Sequence, residues 1–168
     1  MNKKNQMTHY HKKLKKIKNL GCVDCIKIKY CEKDVILKLV DESEETVNLL
    51  TKWREKYRNM FATDFTITEE KTKRWIKKDV LGNPEKIMFV IYVDSEKIGI
   101  ISTSQYDENT NTAILDTMMK EPTFNLPGLM TVVEKVYLRW MFDELNLSEI
   151  TGFLFSDNKK MMNIHKKC

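Results

Sequence analysis

Residues 87–93 (IMFVIYV) form the longest apolar run in this 168-residue chain. A membrane-spanning helix needs about 20 such residues, so this run belongs inside a folded domain. It is the heart of a strand over 86–93. The tight polar turn Asp94, Ser95 and Glu96 joins it to a second strand over 97–105, and the polar loop 107–111 leads to a third over 112–119. Ahead of this meander, Ile26, Ile28 and Tyr30 alternate with Lys27 and Lys29, which is the period of a strand. A polar turn over 31–34 connects it to a further strand over 35–40. Two helices follow. Asp41 to Glu44 has helix-start chemistry, with Val47, Leu50, Trp53 and Arg54 at helical spacing. Thr66 to Glu69 resembles a capping box and opens a helix through Trp75 to about Lys78, broken by Gly82, Asn83 and Pro84. After the meander, Leu129, Val132, Val133, Val136, Tyr137, Trp140 and Met141 trace the stripe of a long helix ending near Asn146. A strand over 149–155 and a closing helical stripe, Met161, Ile164, His165 and Cys168, complete the order. The pattern predicts an α/β (α+β) fold, a mixed, mostly antiparallel sheet with helices packed on both faces.

The formal net charge is +5, but seven lysines and no acid lie within residues 1–19, so residues 20–168 carry −2. The basicity is a property of the N-terminus. Residues 1–25 read as a flexible basic tail ahead of a domain over 26–168, either solvated or weakly gripping an anionic surface; nucleic acid is not an expected partner of the domain. Hydrophobic residues make up 42% of the chain, a globular composition. No apolar signal core follows the basic start, and four cysteines show no pairing pattern, so the expected location is cytoplasmic, without a membrane. Cys22, Cys25 and Cys31, with His9 and His11 upstream, admit a zinc site as an alternative to ordinary reduced thiols. A second CxxC is lacking, so no metal is expected.

The junction 120–128 (KEPTFNLPG) runs from a strand into the N-terminus of the long helix. Free N–H groups and the helix dipole make such a junction an anion site where glycine lets a phosphate approach. A lone glycine is equally a plain turn residue.

From about residue 35 to 168 the sequence resembles the GNAT-superfamily N-acetyltransferases, especially the branch acting on ribosomal proteins, spermidine and amino sugars. The resemblance is carried by Trp53 and Arg54, by Thr66 to Glu70 followed by Trp75, by residues 88–100 (MFVIYVDSEKIGI), by residues 142–147 (FDELNL), and by Ser156, Asp157 and Asn158. It implies transfer of acetyl from acetyl-CoA to a primary amine: an amino sugar, a protein N-terminus or a polyamine. A catalytically weak or inactive CoA-binding module is the alternative. The family's pyrophosphate loop falls on Asn125, Leu126, Gly128, Leu129, Met130 and Thr131. Only its central glycine is kept. Met130 puts a long side chain where the family leaves bare backbone, and Pro127 lacks an N–H, so weaker acetyl-CoA binding is expected.

The resemblance also implies that Met118 and Met119 lie against the pantetheine arm and that Asn158 contacts the cofactor. His165 falls at the position that protonates the departing thiolate, although its apolar stripe equally suits a core histidine. The family's strand glutamate is replaced by Ile114. Asp116, two residues on, shares its face and is the nearest carboxylate to serve as base. Glu69 and Glu70 are the candidates for holding a cationic acceptor. The family continues beyond Cys168 with two further strands, so the domain reads as C-terminally truncated. Its last strand would be an exposed edge, and a homodimer through that edge is the expected association.

Overall fold

The computed structural model describes residues 7–21, 24–60, 66–154 and 157–168. Its elements are α1 (His9–Asn19), β1 (Asp24–Tyr30), β2 (Lys33–Leu39), α2 (Glu44–Lys56), α3 (Glu69–Trp75), β3 (Ile87–Val93), β4 (Glu96–Asp107), β5 (Thr112–Lys120), α4 (Leu129–Leu145), β6 (Glu149–Gly152) and α5 (Lys159–His165). The six strands stand in chain order; β1 to β5 are antiparallel and β6 runs parallel to β5. This is the mixed, mostly antiparallel sheet that the periodicities predict.

Strand alternation divides the sheet between two cores. Ile87, Phe89, Ile91 and Val93 face the layer built by α1 and α4, with Leu14, Val133, Tyr137 and Met141. Met88, Val90, Ile100 and Met119 face α2 and α3, with Val47, Leu50 and Trp53. The run 87–93 is apolar throughout because both its faces are covered. The first two hairpins turn on Cys31 and Glu32 (φ 48° and 60°) and on Asp94 and Ser95 (φ 47° and 71°). Two left-handed residues in a row match the right-handed strand twist, here without glycine.

Several local details differ from the expectations. The cap of α3 is Thr68, which accepts from Lys71 N, so Glu69 is the first helical residue and not the partner in a box begun by Thr66. A π-helical turn, Ile76–Leu81, continues α3 up to the break at Gly82. The last strand stops at Gly152; Phe155 lies outside the described residues, and β6 forms an outer edge of the sheet. Phe153, just beyond it, is 83% exposed.

The larger correction concerns the N-terminus. Residues 9–19, read as part of a flexible tail, form α1. Tyr10, Leu14 and Ile17 recur at i, i+4 and i+7 and are buried in the main core, which is enough to dock a short helix whatever its lysines do. The Tyr10 ring stacks on Tyr106 at 4.0 Å and its hydroxyl donates to Glu85 O at 2.8 Å. Lys13 pairs with Glu144 of α4, and Lys18 Nζ donates to Val80 O at 2.9 Å and to Asn83 O. Of the cysteines and histidines considered for zinc, Cys22 lies outside the described residues, His9 contacts Glu144 O and His11 contacts Thr8. Among the described residues no helix is long and apolar enough to cross a membrane.

Docking α1 takes Lys18 partly out of water, which, with repulsion from Lys86, pushes its ammonium down to about 8. The unfolded chain therefore binds this proton more tightly between pH 8 and the ordinary lysine value, and stability contributed at this site rises with pH there. The thermal midpoint of the wild type should climb relative to that of Lys18→Met between pH 8 and 9. Parallel curves would mean that Lys18 is hydrated in the folded protein.

Candidate active site

Among the described residues, strands β5 and β6 pair over Thr112 to Leu115, opposite Glu149 to Gly152. The described pairing ends there. On its other side β5 changes register: Leu115 pairs with Thr103 and Thr117 with Ser102, so Asp116 is an extra, bulged residue. A bulge bends and twists its strand, which directs β5 away from β6. Asp116 counts as exposed while its side chain is only 19% exposed, so the accessible part is its main chain. From Asp116 to Met119 the outer edge of β5 thus lines a wedge inside the sheet. Met118 packs toward α4 and Met119 toward α2, leaving main-chain groups to face the opening. At the far end Tyr57, which caps the C-terminus of α2, donates to Lys120 O at 2.8 Å, and Glu121 accepts from Trp53 Nε1 at 2.7 Å.

The wedge leads to the start of α4. Gly128 caps this helix in the left-handed conformation (φ 80°), with no side-chain cap and no acid in the first turn. Leu129 N donates back to Leu126 O, whereas the N–H groups of Gly128, Met130 and Thr131 have no partner among the described residues. Tyr30 fixes the loop by donating to Pro127 O at 2.8 Å. A Cβ on residue 128 would stand 2.5 Å from that hydroxyl, so glycine is required here by backbone angle and by space. Lys120 reaches back to Phe124 O, and burial followed by repulsion from Lys160 lowers its pKa. Two mutually repelling lysines beside a bare helix N-terminus favour an anion.

The side chains of Leu129 and Met130 point into the core, Met130 being 8% exposed. The expectation that Met130 obstructs the loop is therefore wrong: its side chain is spent on packing, and its N–H remains open.

Asp116 does lie on the face of Ile114, since Ser104 sits opposite Ile114 and donates to Asp116 at 2.8 Å. Ser102 and Lys86 also donate to the carboxylate, and Lys86 lies over Trp75 of α3. A carboxylate that accepts from an ammonium and two hydroxyls is engaged structurally, and Asp116 ties β5 to β4 and to Lys86, just ahead of β3, beside the bulge. Glu69 and Glu70 are both exposed in the first turn of α3. Glu69 accepts from the Asn48 amide of α2 at 2.9 Å once that amide is oriented to satisfy both its atoms. The Glu69 contact leads to α2 and not to β5.

Asn158 caps α5, accepting from Met161 N at 3.3 Å. His165, 26% exposed, faces α4, where its Nδ1 pairs with Glu134. The Cys168 thiol lies beside the same carboxylate and donates to Ile164 O at 3.4 Å; burial first, then Glu134, pushes it up to about 11. Sequence reasoning missed Glu134, Lys120, Lys160 and Tyr30. For Glu134 the signal was a carboxylate between Val133 and Tyr137 on an apolar stripe.

The acetyltransferase (GNAT) domain family matches residues 34–168. The chain belongs to the GNAT acetyltransferase family. Among curated proteins no sequence matches it. Similar solved structures include the spermidine N-acetyltransferase of Vibrio cholerae in complex with CoA and spermine: 14% identity, TM-score 0.70, 80% of this chain and 79% of that one. The Campylobacter jejuni N-acetyltransferase PseH is 20% identical, with TM-score 0.59 over 78% of this chain and 84% of its own. RimL, the ribosomal L7/L12 α-N-protein acetyltransferase in complex with coenzyme A, is 13% identical, with TM-score 0.66 over 84% and 82%. At these identities the likeness shows a shared fold.

Gly128→Ala should cost about 1–2 kcal/mol for the left-handed backbone alone, and more from the clash with Tyr30. In a Tyr30→Phe background the same change should cost less, because the hydroxyl the new methyl meets is gone. Denaturant titration of the four proteins measures this coupling. Equal costs in both backgrounds would show that Tyr30 swings aside freely.

Proposed function

We propose that this GNAT-family protein transfers acetyl from acetyl-CoA to a primary amine. The observation that carries the reading is the continuous path from the open edge of β5 to the bare N-terminus of α4. Main-chain groups around Met118 and Met119 are suited to pair with the amides of a pantetheine arm, as an added strand would. The free N–H groups of Gly128, Met130 and Thr131, framed by Asn125, Leu126 and Leu129 and flanked by Lys120 and Lys160, suit its phosphates. Acetyl-CoA supplies the activated thioester. His165 delivers a proton to the sulfur as the carbon–sulfur bond breaks, Asn158 keeps its amide N–H for the arm, and the attacking amine releases its proton to water.

The acceptor classes that fit are polyamines, protein N-termini and amino sugars; Glu70, exposed at the start of α3, is a candidate for holding a cationic one. A CoA-binding module of weak or no activity is favoured by one observation, the commitment of Asp116 to Lys86 and the two serines. A panel of amines with thiol detection separates the readings: release of CoA thiol supports transfer, and binding without release supports the module. The apolar residues after β6 and its open edge fit association with a second copy.

In calorimetry, Gly128→Glu should abolish acetyl-CoA binding, since it puts bulk and negative charge where phosphate belongs. Unchanged affinity would move the site elsewhere. His165→Phe keeps the packing and removes the proton donor, so kcat should fall roughly 10²-fold with acetyl-CoA affinity little changed. His165→Tyr should keep much of the activity and extend it to higher pH, because a phenol holds its proton longer than an imidazolium. Wild-type turnover in the phenylalanine variant would reduce His165 to a packing residue. Sedimentation over a range of concentrations should show self-association; a monomer throughout would mean that the β6 edge is covered within the chain.

A further inference from the structure

We propose that Glu134 is a positioning residue for His165, holding the imidazole so that Nε2 is the atom that hands over the proton; the inference rests on the acetyltransferase reading above. Glu134 is 2% exposed and sits on the buried stripe of α4, against Val133 and Tyr137. Burying a carboxylate there is costly, and a residue kept only for packing would be apolar. One oxygen, Oε1, meets His165 Nδ1. Oε2 makes no hydrogen bond among the described residues, and the Cys168 thiol interacts with the same carboxylate.

A carboxylate at Nδ1 accepts from Nδ1–H and so selects which nitrogen is left to exchange protons. When the carbon–nitrogen bond forms and the carbon–sulfur bond breaks, the sulfur takes the proton carried on Nε2. The ring is left neutral, still donating from Nδ1 to Glu134, and regains its proton from water. The other groups facing Glu134 do not compete for this role. Just past α5, Cys168 is held as a neutral thiol, and on the helix of Glu134 the ammonium of Lys135 acts on the Cys168 thiol.

Nitrogen NMR of the histidine-labelled full chain, without any substrate, reads the tautomer of His165, identified by its loss in His165→Phe. The neutral ring should carry its proton on Nδ1 in the wild type and move toward the Nε2–H form in Glu134→Gln. A wild-type ring already protonated at Nε2, or no change in the variant, overturns the proposal. Kinetics with the best amine of the panel supply the second arm. Glu134→Gln should lower kcat roughly tenfold or more with KM for acetyl-CoA within about twofold, and adding it to His165→Phe should cost nothing further. Additive losses overturn the proposal, because Glu134 would then act by another route. A His165→Phe variant as fast as wild type overturns the acetyl-transfer role of His165 and this inference together. A slow His165→Phe with an unmoved tautomer overturns only the positioning. Glu134→Met, which adds no hydrogen-bonding group, repeats both arms should the glutamine variant melt well below the wild type.

Discussion

The main-chain hydrogen bonds that β5 gives up beyond Leu115 organise this molecule. Every strand must pair its N–H and C=O groups with something, and inside a sheet the partner is normally the next strand. Here the bulge at Asp116 turns β5 away from β6, and the groups that follow face an opening walled by helices on both sides. Such an edge invites an extended ligand that carries amides of its own. The same bulge that costs the sheet its pairing thus shapes a binding wedge, and neighbouring contacts hold it open. Gly99 lets β4 pass so close to Met119 O that any side chain would strike it, and Tyr57 and Trp53 anchor the strand's last residues from α2.

Charge is laid out along that wedge in a consistent order. At the outer end stand the α4 N-terminus, Lys120 and Lys160, with no acid in the helix's first turn. On α4, roughly one turn further along the helix, stands Glu134, buried and paired to His165. One helix therefore presents partial positive charge where phosphates would lie and a full negative charge under the histidine that would have to become cationic. Separation by a turn of helix keeps the two from cancelling, because a buried carboxylate acts mainly on what touches it.

Much of this was readable in the chain. The apolar run 87–93 and the alternation around Ile26 gave strands, and the stripe from Leu129 gave α4, because burial of a continuous run or a repeating face is a local property of sequence. Three features escaped for different reasons. Tyr10, Leu14 and Ile17 carry helical spacing, but seven lysines masked it in a reading led by charge. Asp116 was placed on the correct face, yet its commitment to Lys86, Ser102 and Ser104 depends on three strands meeting, which no local pattern encodes. Met130 was assigned by its position in a motif, and only the helix's rotation about its axis shows that its side chain is core while its N–H is free.

The N-terminal helix lies outside the region matched to the family, yet the physics ties it to the site. Tyr10 and Lys18 bond the carbonyls of Glu85, Val80 and Asn83, the residues that turn the chain into β3. That turn delivers Lys86, whose ammonium sits on Asp116 at the bulge. Lys18 and Lys86 also repel one another, and Asp116 offsets the Lys86 charge beside the docked helix. The basic segment that looks like an appendage in the sequence is coupled, through two carbonyl clamps and one ion pair, to the bend on which the wedge depends.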